Sequence, residues 1–367
     1  MEIDTSALFA PIVINGHTVK NRLSVAPMTR ITAAEDGRAT ETMTRYYERF
    51  ARGGFGTVIT EGIYTDQAFS QGYVHQPGMT DEAQATAWKP VVNGIKKHGA
   101  LAIAQMMHAG AISQGNRFRS STVGPSAIQP KGKQMTFYHG NDRYVMPDAI
   151  TEEQIAEAIA GFAGSAARAI EIGGFDAIEI HGANGYLLDQ FLTDYANSRT
   201  DRWGGITKNR VRLIVETFKA VRAKVGAAVL IGVRISQGKV NDYHHKWAGA
   251  EQDAEIIFGS LADAGADFIH VTEFEAWRPA FAEGRASLMR LAKRYAPKAK
   301  IFANGSLHNI EKAVAALDDG ADIVTIGRGA LANPDLPKRL SERSALNEFD
   351  PAILAPIADI KETELVM

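Results

Sequence analysis

Short hydrophobic runs recur along the chain, and most are followed by a longer segment whose hydrophobic positions have helical spacing. Eight of these runs are predicted strands: Arg22–Pro27, Thr57–Glu61, Leu101–Met107, Ala177–His181, Val229–Ser236, Phe268–Thr272, Lys300–Asn304 and Ile323–Gly327. Most are hydrophobic throughout, which is typical of parallel strands buried on both faces. Strands that alternate with helices predict an α/β fold, and eight of them favour a closed (β/α)8 TIM barrel over an open doubly wound sheet.

The segments between the strands carry helix signals. Thr151 followed by Gln154 predicts a capping box at the start of a helix. We expect left-handed glycines to end three helices, at Gly173, Gly265 and Gly320. A Gly-x-Asp sequence recurs before three predicted strands, at Gly174–Asp176, Gly265–Asp267 and Gly320–Asp322. This repeat is what a chain of βα units would produce.

Two segments lie outside the repeat, within what we interpret as one barrel domain over residues 1–367. Residues 11–20 hold two short hydrophobic runs around Asn15-Gly16, which predicts a β-hairpin. We expect this hairpin to plug the bottom of the barrel. Residues 108–150 follow the third strand and are rich in Gly, Ser, Pro and Gln. A segment of this length predicts a capping excursion, or lid, over the end of the barrel where active sites lie.

Composition narrows the function classes. The 367 residues are 45% hydrophobic and carry a formal net charge of −2, with no basic run that would favour nucleic acid or an anionic membrane. The chain has no cysteine, which excludes disulfides, thiolate metal sites and a thiol nucleophile. We predict no metal site, no signal peptide at Met1–Asn15 and no membrane span. A soluble cytoplasmic protein is expected, as a monomer or a homo-oligomer, with a small molecule as its partner.

Three polar side chains fall within six residues at the end of the fourth predicted strand: His181, Asn184 and Tyr186. His181 and Asn184 are both able to donate hydrogen bonds to one oxygen, which would stabilise negative charge on a carbonyl group during hydride addition to a conjugated alkene. Tyr186 could supply a proton. The alternative is that Asn184 caps a helix, His181 satisfies a strand end and Tyr186 only packs.

Two further polar residues interrupt predicted strands. Arg234 lies in a hydrophobic strand, where its charge is costly unless an anion pairs with it. That anion would be a reduced flavin or a carboxylate in the barrel mouth, and the alternative is a structural ion pair. Gln105 both donates and accepts hydrogen bonds, which matches the edge of a flavin pyrimidine ring. The alternative is a core amide with its bonds satisfied.

The ends of the last two strands predict a phosphate site. Asn304-Gly305-Ser306 ends the seventh strand and Gly327-Arg328-Gly329 ends the eighth. Barrels often bind phosphate with these two loops, where glycines let backbone N–H groups approach and an arginine offers a bidentate partner. The alternative is two tight turns beside a surface arginine.

Together these segments resemble the Old Yellow Enzyme family of FMN-dependent ene-reductases. The likeness covers nearly the whole chain, through Leu8–Pro11, Asn21-Arg22, Ala26–Arg30, Thr60–Gly62, His181–Leu192, Asn197–Gly205, Gly327-Arg328 and Asn333–Leu336. The fourth-strand motif and its continuation at Asn197–Gly205 are the most specific part.

The resemblance implies that FMN is bound, with Pro27, Met28, Thr29 and Gly62 along its isoalloxazine ring. It implies that Thr29 bonds flavin O4, that Gln105 binds the pyrimidine edge and that Arg234 stabilises the anionic hydroquinone. The implied cofactor-binding set is Pro27, Met28, Thr29, Gly62, Gln105, His181, Arg234, Asn304, Gly305, Gly327 and Arg328.

The resemblance also implies a reaction. NADPH or NADH and the alkene would use the same face in turn, with ping-pong kinetics. His181 and Asn184 would bind the substrate carbonyl oxygen or the nicotinamide amide. Tyr186 would protonate Cα after hydride passes from flavin N5 to Cβ. The substrate would be an activated alkene, such as an α,β-unsaturated carbonyl or nitro compound.

Some residues differ from those that other family members have at the same positions. Others have no role that the resemblance implies. Thr29 stands where one branch has cysteine, and Asn184 stands where other members have histidine. Met107 replaces a residue that is often aromatic, and Trp277 either compensates for it or only packs. His244-His245 is interpreted as part of a solvated loop.

Other function classes remain open on the residues alone. The same scaffold could reduce nitrate esters or nitro compounds. A non-redox phosphate-binding barrel enzyme would explain the phosphate loops and Arg234. A flavin-binding protein without catalysis would have no need of His181, Asn184 and Tyr186.

Overall fold

The computed structural model describes residues 3–366, and its centre is a closed barrel of eight parallel strands. In chain order the barrel strands are Leu23–Val25, Thr57–Ile59, Leu101–Met107, Ala177–Asn184, Leu230–Lys239, Phe268–Thr272, Lys300–Asn304 and Ile323–Ile326. Each pairs in parallel with its neighbours, and the eighth pairs with the first. The predicted (β/α)8 fold is therefore confirmed.

The strand bounds differ from the prediction at functionally relevant ends. The first strand is shorter than predicted, and Pro27 lies beyond its end, consistent with proline having no N–H to donate to a ladder. The fourth and fifth strands are longer than predicted because they pair beyond the barrel rim, where Asn184 lies opposite Lys239. This extension carries the polar end of the fourth strand above the barrel.

Helices surround the barrel and lie at its ends. They span Ser6–Phe9, Glu41–Arg52, Glu82–Ala87, Lys89–Lys96, Glu152–Arg168, Leu187–Leu192, Thr207–Arg210, Arg212–Val225, Ala250–Ala264, Leu288–Tyr295, Ile310–Asp318, Arg328–Ala332 and Leu336–Ser341. The capping box of Thr151 and Gln154 is present. The left-handed glycine expected at Gly173 is instead Gly174, because a π-helical turn over Ala169–Gly173 adds residues before the helix ends. No helix in the described residues is long and apolar enough to cross a membrane.

The Gly-x-Asp repeat has a common structural role. The carboxylates of Asp176, Asp267 and Asp322 accept hydrogen bonds from the backbone N–H groups of Ala102, Ile231 and Ile301, at 2.9, 2.8 and 2.9 Å. Each aspartate thus joins the start of its own strand to the start of the strand beside it. The repeat fixes the relative register of neighbouring strands at the amino end of the barrel.

The predicted hairpin is present and closes the amino end of the barrel. Ile12–Ile14 pairs with His17–Val19 in antiparallel fashion. Ile12, Ile14 and Val19 form a separate hydrophobic cluster with residues at the amino ends of the strands, including Phe268 and Phe302. The two phenylalanine rings stack with their centroids 4.4 Å apart. Side chains of the hairpin and the strands therefore fill this end of the barrel.

We expect Ile14→Ala to destabilise the protein by about 2–5 kcal/mol, as for other large-to-small changes in a core. Ile14 is 2% exposed, whereas Val13 on the same strand is 58% exposed. Val13→Ala is therefore the matched control, with an expected change within about 0.5 kcal/mol. Urea denaturation measures both. Equal effects of the two substitutions would show that the hairpin does not act as a plug.

The segment 108–150 contains two short helical turns, Gly110–Ile112 and Thr136–Tyr138, and a small parallel ladder between Val123–Gly124 and Asp148–Ala149. The second turn lies above the carboxyl end of the barrel. It is tied to the C-terminal segment, because Ala358 N–H donates to the carbonyl oxygen of Phe137 at 2.8 Å. The segment forms a lid over one side of the barrel mouth.

Candidate active site

A cavity of about 290 Å³ lies at the carboxyl end of the barrel strands. Most of the predicted site residues line it: Pro27, Met28, Thr29, Gln105, His181, Asn184, Tyr186, Arg234, Asn304, Gly327 and Arg328. The lid contributes Met135, Phe137 and Tyr138, and Leu354 of the C-terminal segment also lines the cavity. The structure thus brings together residues from six of the barrel strands and the loops that follow them.

Two neighbouring strands place Arg234 and His181 directly opposite each other in the sheet. Arg234 is 5% exposed, and in the described part of the chain its guanidinium has only neutral partners, Thr272 Oγ1 at 3.3 Å and Asn304 Oδ1 at 3.1 Å. Its Nε has no partner there. Burial lowers the pKa of Arg234, and nearby Glu179 opposes this effect. The structural ion pair considered for Arg234 is absent from residues 3–366, which leaves its cation directed at the cavity.

His181 is buried, and its Nδ1 has no hydrogen-bond partner among the described residues. Burial lowers the pKa of His181 well below its usual value, and the positive charge of Arg234 lowers it further. The imidazole is therefore neutral at physiological pH, with one N–H to donate. Asn184 has a left-handed backbone with φ 62°, and its N–H donates to Ser236 Oγ at 2.8 Å. Its side chain lines the same cavity as His181.

Tyr186 lies edge-on to His181, with ring centroids 4.9 Å apart. Its hydroxyl is 2.5 Å from that of Tyr73. Burial raises the pKa of Tyr186 to about 12, although the bond from Tyr73 opposes this effect. Tyr186 is therefore fully protonated at neutral pH. Tyr138 of the lid packs against Tyr73, with ring centroids 4.7 Å apart and ring planes at 51° to each other. Its hydroxyl donates to the carbonyl oxygen of Thr29 at 3.0 Å.

A buried ion pair holds the turn that carries Asn184 and Tyr186. Asp189 Oδ2 accepts from the Gly185 N–H at 2.7 Å, and Lys239 Nζ lies 2.9 and 2.8 Å from the two carboxylate oxygens. Both side chains are almost fully buried. Because the carboxylate bonds directly to the turn backbone, it fixes the relative positions of Asn184 and Tyr186.

A second buried network holds Gln105. Its Nε2 donates to Glu179 Oε1 at 2.7 Å, which leaves the amide oxygen available as an acceptor. Glu179 also pairs with His270 Nδ1 at 2.7 Å, and His270 Nε2 lies 2.8 Å from Thr325 Oγ1. Burial alone would raise the pKa of Glu179, but His270 and Gln105 lower it. The carboxylate therefore fixes the orientation of the Gln105 amide at the cavity wall.

A smaller cavity of about 190 Å³ adjoins the central one. It is lined by both predicted phosphate loops, including Asn304, Gly305, Gly327 and Arg328. Gly305 has φ 141°, and a Cβ at this position would lie 2.4 Å from the carbonyl oxygen of Glu273. The loop therefore requires glycine to adopt this close approach.

Four other residues singled out in the sequence, Gly62, Trp277, His244 and His245, do not line the central cavity. Gly62 lies behind Met107, whose Sδ would be 2.5 Å from a Cβ added there, and it is Met107 that faces the cavity. Trp277 packs against the core, with Lys312 Nζ over its ring at 3.0 Å. The interpretation of His244-His245 as a solvated loop is wrong for His245, which is 9% exposed and bonds the Gln237 carbonyl oxygen at 3.0 Å.

Glu61 supports the loop after the first strand. Its Oε2 accepts from the backbone N–H groups of Arg30 and Ile31 at 3.0 and 3.1 Å, and its Oε1 accepts from Tyr47 at 3.2 Å. The Arg30 guanidinium pairs with Glu364 of the C-terminal segment. Burial raises the pKa of Glu61 to about 7, despite these hydrogen bonds. The carboxyl group therefore titrates near neutral pH.

We expect Glu61→Gln to remove a pH-dependent part of the stability. Because the folded-state pKa of about 7 exceeds the ordinary value of 4.5, the folded protein holds this proton more tightly than the unfolded chain. As the pH rises from 4.5 to 7, the free energy of unfolding of the wild type should therefore fall by about 3 kcal/mol more than that of Glu61→Gln. Denaturation at matched FMN concentrations measures this difference, and parallel pH profiles would contradict it.

Sequence reasoning missed Tyr73, Tyr138, Glu179 and His270. For Glu179 and His270 the signal was present, because each is a polar residue inside a hydrophobic strand, as Gln105 is. Tyr73 and Tyr138 are far from Tyr186 in sequence, and no local pattern distinguishes them from packing residues.

Comparison with known proteins identifies the family of this chain. Residues 7–347 match the NADH:flavin oxidoreductase / NADH oxidase family. A putative 12-oxophytodienoate reductase 6 of Oryza sativa subsp. japonica is 34% identical over 342 residues, which cover 90% of this chain and 83% of the relative. A probable flavin mononucleotide-dependent alkene reductase of Leishmania infantum is 30% identical over 362 residues, covering 94% and 93%.

A solved structure shares the whole architecture. The Old Yellow Enzyme homologue from Zymomonas mobilis superposes with a TM-score of 0.85 at 30% identity, and the match covers 98% of each chain. The family match, the relatives and the fold agree over nearly the full length. The chain belongs to the NADH:flavin oxidoreductase / NADH oxidase family, that of the Old Yellow Enzymes.

Proposed function

We propose that this FMN-dependent NAD(P)H oxidoreductase reduces the C=C bond of α,β-unsaturated carbonyl and nitro compounds. The observation that carries the proposal is the wall formed by His181, Asn184 and Tyr186, in which a neutral imidazole without a protein partner at Nδ1 lies beside a protonated tyrosine. Such a wall suits a substrate that gains negative charge on an oxygen and a proton on a nearby carbon.

The residues present fit FMN. Arg234 offers a buried cation with neutral partners, as an anionic ring would require. Gln105 offers an oriented amide oxygen for a ring N–H. The adjoining cavity offers a glycine-lined space with Arg328 at its edge for the phosphate. These features support binding of the ring in the central cavity and of the phosphate beside it.

FMN, when bound and reduced, supplies the hydride. The chain's own residues do the rest of the chemistry in this proposal. His181 and Asn184 donate hydrogen bonds to the carbonyl or nitro oxygen and stabilise the negative charge that develops on it. The Tyr186 hydroxyl transfers its proton to the substrate carbon next to the activating group, and Tyr73 donates to the tyrosine oxygen as that proton leaves. The lid and Leu354 reduce water access.

The proposal is tested with purified FMN-loaded protein under anaerobic conditions. NAD(P)H should bleach the flavin absorbance, and 2-cyclohexen-1-one should then restore it. Saturated cyclohexanone is the control and should not restore it, because it has the carbonyl group without the alkene. A flavin that NAD(P)H reduces but that cyclohexenone and a nitroalkene both fail to reoxidise would refute the proposed substrate class.

A further inference from the structure

Four buried polar side chains form a continuous hydrogen-bonded network through the interior of the barrel. Gln105 Nε2 and His270 Nδ1 each lie 2.7 Å from a different oxygen of the Glu179 carboxylate. His270 Nε2 lies 2.8 Å from Thr325 Oγ1. Gln105 lines the central cavity and Thr325 lines the adjoining one. This interior network therefore joins the two cavities through the barrel.

The sheet register places the interior network beside Arg234. His270 lies opposite Arg234 in one pair of strands, and Arg234 lies opposite His181 in the next. On its other side His270 lies opposite Phe302, which is uncharged. In the described part of the chain, the charges that act on His270 are the negative charge of Glu179 and the positive charge of Arg234. His181 is the other titratable group beside Arg234, and it is neutral.

The interior network satisfies the hydrogen bonds of His270 in two protonation states. In the neutral state Nδ1–H donates to Glu179, and Nε2 accepts from the Thr325 hydroxyl. In the charged state both ring nitrogens donate, and Thr325 Oγ1 accepts from Nε2. The Thr325 hydroxyl then donates to the carbonyl oxygen of Ala303, 3.1 Å away. Because a hydroxyl both donates and accepts, His270 is able to gain a proton without leaving a ring nitrogen unpaired.

Charge balance at the central cavity changes when a bound flavin is reduced. Burial lowers the pKa of His270, although Glu179 opposes this effect, so the imidazole is neutral at physiological pH. The ionised Glu179 then balances Arg234. Transfer of a hydride to a neutral flavin adds one negative charge beside Arg234, which leaves an uncompensated charge in the barrel interior. Such a charge is costly, and a proton on His270 would compensate it.

We propose that the Glu179–His270 pair takes up a proton from water when the bound flavin is reduced. Hydride transfer oxidises NAD(P)H to NAD(P)+ and moves two electrons and one proton to the flavin, without using a proton from solvent. The additional proton enters from the adjoining cavity at Thr325 and binds His270 Nε2. It leaves by the same route when the flavin is reoxidised. This inference rests on the proposed placement of the flavin ring in the central cavity.

The test measures proton uptake while NAD(P)H reduces the FMN-loaded protein anaerobically. The solution is weakly buffered and contains phenol red, which reports the protons taken up, and the flavin absorbance reports the flavin reduced. Wild type should take up about one proton per flavin. His270→Asn keeps a donor for Glu179 but has no titratable ring, and Glu179→Gln removes the negative charge that the proton would compensate. Uptake should fall at least about fivefold in each variant.

His98→Asn is the matched control. His98 also pairs with a glutamate, Glu48 at 3.1 Å, but lines neither cavity. This variant should take up as many protons as wild type. Uptake that persists in His270→Asn or in Glu179→Gln would place the proton on the flavin or on another group and overturn the proposal. A wild type that takes up no proton would overturn it as well.

Thr325→Val provides a milder variant, should the two substitutions in the Glu179–His270 pair prevent folding. Valine is nearly isosteric with threonine but offers no acceptor to the charged imidazole, so proton uptake should again fall. Unchanged uptake in Thr325→Val would contradict the proposal. None of these experiments contains an alkene, so failure of the proposed substrate class is separately visible.

Discussion

Turnover of 2-cyclohexen-1-one should fall by about 10²- to 10⁴-fold in a Tyr186→Phe variant, the usual loss for a positioned general acid. The phenyl ring keeps its edge contact with His181, so the cavity should retain its shape. Reduction of bound flavin by NAD(P)H should keep its rate, because that half-reaction needs no proton from Tyr186. Stopped-flow absorbance at the flavin band measures the two half-reactions separately.

Tyr73→Phe is the matched control for this result. It removes the hydroxyl 2.5 Å from that of Tyr186 but leaves the proposed proton donor in place. We expect the oxidative half-reaction to slow by less than about tenfold, because the pKa of Tyr186 rises while its proton remains available. Unchanged turnover in Tyr186→Phe would remove Tyr186 from the proposed reaction.

Binding of a phenolic ligand such as 4-hydroxybenzaldehyde should weaken about 10²- to 10⁴-fold in a His181→Ala/Asn184→Gly variant. Each lost hydrogen bond to a charged oxygen contributes about 1.5–3 kcal/mol. Glycine is chosen at 184 because the backbone there has φ 62°, which alanine adopts with strain and glycine does not. The change in flavin absorbance on titration gives the Kd.

The conservative variant Asn184→His provides the control. Histidine can donate a hydrogen bond and, among residues with a side chain, tolerates the left-handed backbone comparatively well. We expect phenol binding in this variant to remain within about tenfold of wild type. Binding retained by His181→Ala/Asn184→Gly would mean that the substrate oxygen is held elsewhere in the cavity.

Much of the fold could be predicted because its signals are local. Hydrophobic runs of strand length, a capping box and a repeated Gly-x-Asp each depend on a few adjacent residues, and the structure confirms the strands, the cap and the hairpin. The ends of the strands were harder to predict than their existence. The fourth and fifth strands run on to Asn184 and Lys239 because they pair with each other, and pairing between distant segments leaves no local pattern.

The candidate residues were also singled out by local signals. Arg234 and Gln105 interrupt hydrophobic strands, where a polar side chain is costly unless it has a partner. His181, Asn184 and Tyr186 are three polar side chains within six residues at the end of a predicted strand. The structure leaves His181 Nδ1 and Arg234 Nε without protein partners among the described residues, as a ligand site requires.

The sequence alone determined the order of the strands and helices, the plugging hairpin and the identity of most side chains at the barrel mouth. Only the tertiary structure decided which residues, distant in sequence, contact the side chains at the barrel mouth and the turn that carries them. Tyr73 meets Tyr186 across 113 positions of the chain, and Lys239 reaches Asp189 across 50. Such contacts depend on closure of the barrel, which brings together strand ends that no short segment of sequence relates.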